Sequence, residues 1–163
     1  MTKTISRGLV LVASLFGATG NADPDSRLPE IIAPADLRLL RIQQYFVERD
    51  CPAHVYARDF VLASDWHGLD WRLLPSLSMV ESGGGKEIYN NNMFGWANAQ
   101  VRFESPRAGI YKVAARLRQS KLYKNKNLEQ VLWTYNPKPD YVNKVKMVMK
   151  QLGPKDLAPT ASF

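Results

Sequence analysis

The sequence predicts a single, mainly α-helical domain, and three observations carry that prediction. Apolar residues recur at the three- and four-residue spacing of a helix face in one stretch after another. Start and stop signals bracket those stretches: Ser105-Pro106 and Asn127 with Gln130 as openings, Gly68, Gly83-Gly84-Gly85 and Gly153-Pro154 as ends. No segment alternates apolar and polar residues for long enough to read as a strand. The 163 residues suffice for one domain with a real core. At 45% hydrophobic and 23% charged, without repeats or low-complexity tracts, the composition is globular.

Residues 1–22 read as a secretory signal. Lys3 and Arg7 form a basic start, Leu9 to Phe16 is a short apolar run, and Gly20-Asn21-Ala22 is a small-x-small cleavage site. The run is too short to span a membrane. An uncleaved anchor or a buried helix is the competing reading. Cleavage removes two cations and no acid, so the formal charge of +7 becomes +5. Residues 23–34, with Pro24, Pro29 and Pro34, form an extended arm.

The folded domain is expected over 35–153. A helix begins at Ala35, with Leu37, Leu40, Gln44 and Val47 on one stripe and Ile42 and Phe46 flanking it. Arg38, Arg41 and Arg49 read as solvated. Cys51-Pro52 breaks that helix. A second runs from about Ala53 to His67, with Val55, Tyr56, Phe60, Val61 and Ala63 as its apolar side, and Gly68 closes it. Asp70 is a candidate cap for the third helix, which starts irregularly or afresh near Leu74 because Pro75 lacks an N–H. Leu74, Leu77, Ser78 and Glu81 share one side of it. The three glycines end it, and Lys86 to Gln100 is an amide-rich loop.

Ser105-Pro106 opens a helix with Ile110, Val113, Ala114 and Leu117 inward. A basic connection, Lys121 to Lys126, leads to a short helix carrying Leu128, Val131, Leu132 and Tyr135. Pro139 opens the last helix, with Tyr141, Val142, Val145, Val148, Met149 and Leu152 inward. Residues 154–163 are a tail. Trp66, Trp71 and Trp133 sit in helical patterns and read as core.

Chemistry concentrates in Leu73 to Gly95. Glu81 ends an apolar helix, where the helix dipole disfavours a carboxylate anion and apolar neighbours such as Leu77 and Val80 add desolvation of the same sign. Both raise its pKa, which suits an acid that protonates a glycosidic oxygen. A surface glutamate at a helix end is the bland alternative. Trp96 can stack on a sugar or be buried.

Three motifs in order carry a family resemblance. Glu81-Ser82-Gly83-Gly84-Gly85 resembles the E-S-x-x-G helix end of the lysozyme-like superfamily. Asn91-Asn92-Met93-Phe94-Gly95 resembles the N-N-x-F-G segment of bacterial glucosaminidases. Tyr135-Asn136-Pro137, followed by Tyr141-Val142, is similar to the C-terminal tyrosine motif of that family and to the Y-N motif of lytic transglycosylases. The resemblance covers about Ala53 to Leu152. It implies a lysozyme-like helical domain with a substrate cleft and little or no β-lobe, which cleaves the β-1,4-linked glycan strand of peptidoglycan.

Under that resemblance Glu81 is the general acid and Ser82 supports the turn or the glutamate. The glycines let a sugar approach the backbone. Asn91, Asn92 and the backbone at Phe94-Gly95 hold the sugar and its acetamido groups. Tyr135 lines the cleft, Asn136 fixes the local turn, and Tyr141 is a weaker candidate that core packing explains as well. A second carboxylate is the point of departure. Only Ala97 to Phe103 separates the N-N-x-F-G segment from the next helix, too little for a hairpin lobe bearing an acid. Glu104 is the nearest acid, though a charge beside a helix start explains it as well, and Glu87 is a poorer choice. One acid suffices if the substrate's 2-acetamido group or 6-hydroxyl is the nucleophile.

Other chemistries have less support. His54 and His67 lack nearby cysteine pairs, so no metal is expected, and no cofactor is required. The glycine run follows a helix rather than a strand, against a phosphate loop. The lone Cys51 forms no internal disulfide and reads as a small buried residue. The basic balance, with a sequence pI near 9.6, suits an anionic wall polymer. Aromatics do not interleave with basic residues as a nucleic-acid surface requires. Signal cleavage would leave no stable membrane anchor. The expected location is the periplasm or the outside of a bacterial cell. A non-catalytic wall-binding module is the rival of another class.

Overall fold

The computed structural model describes residues 36–157. The signal-like segment and the arm lie outside these residues, as do 158–163. Six α-helices and one 3₁₀ turn make up the described chain: α1 Leu37–Val47, the 3₁₀ turn Pro52–Tyr56, α2 Ala57–His67, α3 Leu73–Ser82, α4 Pro106–Gln119, α5 Leu128–Tyr135 and α6 Pro139–Leu152. Among the described residues there is no strand, only an isolated bridge between Tyr89 and Asn92. The mainly α prediction holds.

α1 starts where Asp36 accepts a hydrogen bond from the Arg38 amide at 2.9 Å. Its buried face corrects the predicted stripe. Ile42, Tyr45 and Phe46 face inward, while Leu40 and Val47 are 45% and 52% exposed. Two apolar faces compete on this helix, and the one with two aromatic rings removes more surface from water. Arg38 is not simply solvated either. Its guanidinium bridges Asp36 and Asp65 at 2.7 Å each, tying α1 to α2. Arg49 lies over the Tyr45 ring, 3.8 Å from its centroid.

Pro52 opens a separate 3₁₀ turn, so the second predicted helix is two elements and Val55 is exposed. Gly68 caps α2 in the left-handed conformation, φ 60°. α3 begins at Leu73, so Pro75 falls in its first turn, where its missing N–H would have had no helical partner. Asp70 acts one step ahead of the helix, accepting from the Arg72 amide at 3.0 Å and pairing with its guanidinium.

Leu73, Leu74 and Leu77 are buried, and α3 packs against α2 and α6. α2 packs in turn on α1 and α4, and α5 on α6. Three phenylalanines link this core. Phe46 meets Phe60 at 5.9 Å and Phe60 meets the loop residue Phe94 at 6.5 Å. The openings of α4 and α5 are as predicted: Ser105 Oγ accepts from Ala108 N at 3.1 Å, and Asn127 with Gln130 forms a reciprocal capping box. The six predicted inward residues of α6 are all buried.

Two expectations need correction. Trp71 is core, its Nε1 donating to the Lys155 carbonyl, but Trp66 is 82% and Trp133 50% exposed. Their neighbours in the pattern are apolar, yet both rings fall on outer faces. The chain beyond 153 is also packed: Arg72 binds the Gly153 carbonyl and Leu157 contacts the core.

The glycine run serves packing rather than sugar approach. Gly83 caps α3 with φ 59°. A Cβ on Gly84 would lie 2.8 Å from Cys51 Cβ and 2.9 Å from Phe46 Cε1. Cys51 is accordingly buried, as expected. Gly84→Ala and Gly68→Ala form a controlled pair, since both have φ above +50° but nothing lies within 4 Å of a Cβ at Gly68. Gly68→Ala is expected to cost about 1 kcal/mol from backbone strain. Gly84→Ala is expected to cost about 1–3 kcal/mol more from overpacking. Urea unfolding monitored by circular dichroism measures both, and equal losses would contradict the packing role.

Candidate active site

Glu81 occupies the last turn of α3, half-buried, on the wall of an open cavity of about 890 Å³. Met79 and Val80 of α3, Asn136 from the α5–α6 connection, and Tyr141 and Lys144 of α6 line it as well, with Tyr45 of α1. Burial holds the Glu81 carboxyl above its ordinary value, and the Tyr141 hydroxyl opposes this in smaller measure. The direction is the one predicted from sequence.

Tyr141 is itself buried, and its hydroxyl makes no hydrogen bond of standard geometry among the described residues. It lies close enough to Glu81 to favour the anion without a well-aligned bond. Burial, then the neighbouring Glu81, pushes the Tyr141 phenol upward, and burial with Glu81 does the same to Tyr135. An unpartnered buried hydroxyl on a cavity wall has a donor and an acceptor to offer a ligand.

Gly95 closes the other side of Glu81. It is left-handed, φ 57°, and a Cβ there would collide with Glu81 Oε2 and lie 3.2 Å from Cδ. The loop backbone can lie against the carboxyl because Gly95 has no side chain.

Beyond Gly95 is a smaller depression of about 310 Å³, lined by Gly95, Trp96, Ala97, Asn98, Tyr123 and Tyr135. Trp96 stands edge-on to Tyr135 at 5.6 Å, and Tyr135 stacks on Tyr141 at 6.0 Å with an 8° tilt. The Tyr135 hydroxyl donates to the Phe94 carbonyl. Glu81 thus lines the large, mixed hollow, and Gly95, packed against it, lines the small aromatic one.

Several sequence-predicted binding residues do other work. Asn92 is buried, and its side-chain amide is fully engaged. Nδ2 donates to the carbonyls of Trp96 and Val101 at 2.9 and 3.1 Å, while Oδ1 accepts from the amides of Phe94 and Trp96. No donor proton is left for an acetamido group. Asn91 Nδ2 donates to the carbonyls of Phe103 and Glu104. Asn92 therefore shapes the loop rather than holding a sugar, and the Asn91 side-chain nitrogen is spent on the loop as well.

The Phe94 side chain is wholly buried in the core, so only its backbone faces the site. Ser82 is buried as well. Its Oγ donates to the Met93 carbonyl at 2.8 Å and accepts from Gly85 N, which is the turn-supporting role expected. Asn136 lines the large cavity.

Glu104 corrects the second-acid expectation. It is exposed at the entrance to α4 and lines neither hollow. Asp140, which sequence reasoning passed over, lines the large cavity together with Lys138 and Lys144. Its position in the first turn of α6 was the available signal. Tyr45 and Tyr123, from distant segments, had none. Among the described residues no group of three or more His, Cys, Asp or Glu could hold a metal ion. No protein-family model and no curated protein matches this chain.

The raised Glu81 sets a pH signature. A carboxyl with a native pKa above its unfolded value contributes stability that is present below the unfolded pKa and is lost as pH rises through the native pKa. The neutral amide introduced by Glu81→Gln mimics the protonated acid. The variant should therefore match the wild type at about pH 4 and be the more stable at about pH 8, read by thermal unfolding at both. A gap that narrows with rising pH contradicts the burial. Asn92→Ala should destabilise by about 2–4 kcal/mol, because it strands four backbone groups of the loop. Urea titration beside Asn91→Ala, expected at about 1 kcal/mol, checks that ranking.

Proposed function

We propose that this protein cleaves the β-1,4 glycosidic bonds of the peptidoglycan glycan strand, with Glu81 as the general acid, on a lysozyme-like helical domain. One observation carries the reading. A carboxyl whose pKa is raised by burial lines an open cavity and touches Gly95, which lines a second, aromatic hollow. A polymer-cleaving acid requires that combination, whereas a structural glutamate does not.

The chemistry follows from the placement. Glu81 gives its proton to the glycosidic oxygen as the bond to the anomeric carbon breaks. The Trp96 face can stack on a sugar ring. The Tyr141 hydroxyl offers a hydrogen bond beside the reacting atoms. The backbone at Gly95 bounds the cleft close to the carboxyl.

The loop joining Gly95 to α4 carries no hairpin lobe, and Glu104 lies outside both hollows. This favours one-acid chemistry. The substrate's 2-acetamido oxygen can attack the anomeric carbon, and water then opens the product to a reducing end, as in a glucosaminidase. Attack by the sugar's own 6-hydroxyl instead gives a 1,6-anhydro end, as in a lytic transglycosylase. The ionised Glu81 is reset by a proton from the incoming water in the first route and from the attacking 6-hydroxyl in the second. Read with the signal-like residues 1–22, the site of action is the periplasm or the exterior of a bacterial cell.

Residues 23–163 should clear a peptidoglycan suspension, and Glu81→Gln should slow clearing by about 10²–10⁴-fold. Mass spectrometry of the fragments assigns the route, since only the second leaves anhydro ends. Equal clearing by both proteins removes Glu81 from the chemistry. Sedimentation of both with the wall and no clearing by either makes the protein a binding module.

A further inference from the structure

The two hollows beside Glu81 differ in chemistry, and the difference bears on what the strand carries. The small hollow is aromatic and bounded by the loop backbone, a lining that suits a neutral sugar ring. The large one combines an aliphatic and thioether surface from Met79, Val80 and Val148 with two cations and an anion, Lys138, Lys144 and Asp140. None of these three charges is in a salt bridge among the described residues. At about 890 Å³ this cavity lies within the range of roughly 300–1,000 Å³ of ligand sites.

A bare sugar chain leaves the charged part of such a lining unused. A short peptide substituent has aliphatic side chains, free carboxylates for the lysines and, where it includes a diamino acid, an ammonium for Asp140. We propose that the large cavity is a peptide subsite, so that the enzyme prefers glycan strands bearing their stem peptides over stripped ones. Lys138 and Lys144 hold the peptide carboxylates. This rests on the glycan-cleaving reading above and names the substrate form that reading leaves open.

The arrangement fits the chain's order. Lys138 immediately precedes α6 and Lys144 lies in its second turn, on the helix that also supplies Tyr141. A peptide held by the two lysines would therefore be fixed relative to the element that packs beside Glu81. Its placement would favour one orientation of the strand across the acid.

The test uses the wild type and the Lys138→Ala/Lys144→Ala double variant on two soluble strands of equal length. One carries its stem peptides. The other has been stripped by an amidase, which leaves the lactyl carboxylate on the sugar. At low substrate the wild type should cleave the peptide-bearing strand about tenfold faster, the combined worth of two partly exposed ion pairs. The double variant should lose that preference, cleaving the two strands at similar rates, and added salt should erode the wild-type preference. Equal wild-type rates on the two strands overturn the inference, as does a double variant that slows both strands alike. A wild type that cleaves neither strand overturns the glycan-cleaving reading itself.

Discussion

The hydrogen bond from Ser82 Oγ to the Met93 carbonyl, 2.8 Å long, seats the loop on the end of α3, and the site depends on that seat. The same oxygen accepts from Gly85 N, so one hydroxyl closes the turn and anchors the returning chain. With Met93 fixed, Phe94 enters the core against Phe60 and its carbonyl is presented to Tyr135. Gly95 then falls against Glu81. Each contact is buried or half-buried, so an unmade hydrogen bond there carries the full desolvation cost.

The site reconciles two demands that usually conflict. A carboxyl must be buried for its pKa to rise, yet a general acid must stay open to its ligand. Here the helix end and the Gly95 backbone cover the carboxyl from two sides, while the large cavity leaves it open on another. Tyr141 and Tyr135 complete the surround, and both phenols are pushed further toward their neutral forms. No full charge from these neighbours competes with Glu81 for its proton. The charged residues of the large cavity belong to the start of α6.

The sequence made the helices legible because caps are local. Ser105, Asn127 and Gly68 act on amides and carbonyls within four residues, so their roles survive any tertiary arrangement. The choice between two faces of α1 was not local. Leu40 and Val47 satisfy the period as well as Ile42 and Phe46, and only contact with the 3₁₀ turn and α2 decides between them. Glu81 was legible because its surroundings, an apolar helix and its end, are local too. The asparagines were misread because their partners are carbonyls four to thirteen residues away. A sequence shows that an amide is present but not that its hydrogen bonds are already used. The glycines misled for a related reason: Gly84 meets Cys51 and Phe46, whereas Gly95, further on, is the one that clears space for the acid.

The central claim is that burial raises the pKa of Glu81, with Tyr141 as the group that restrains the shift. A carbon-detected NMR titration of the Glu81 side-chain carboxyl tests it most directly, in the wild type and in Tyr141→Phe. The account predicts a wild-type midpoint above that of an ordinary glutamate and a higher one still in Tyr141→Phe, because the hydroxyl that favours the anion is gone. An ordinary wild-type midpoint, or one that falls on removing the hydroxyl, would contradict it.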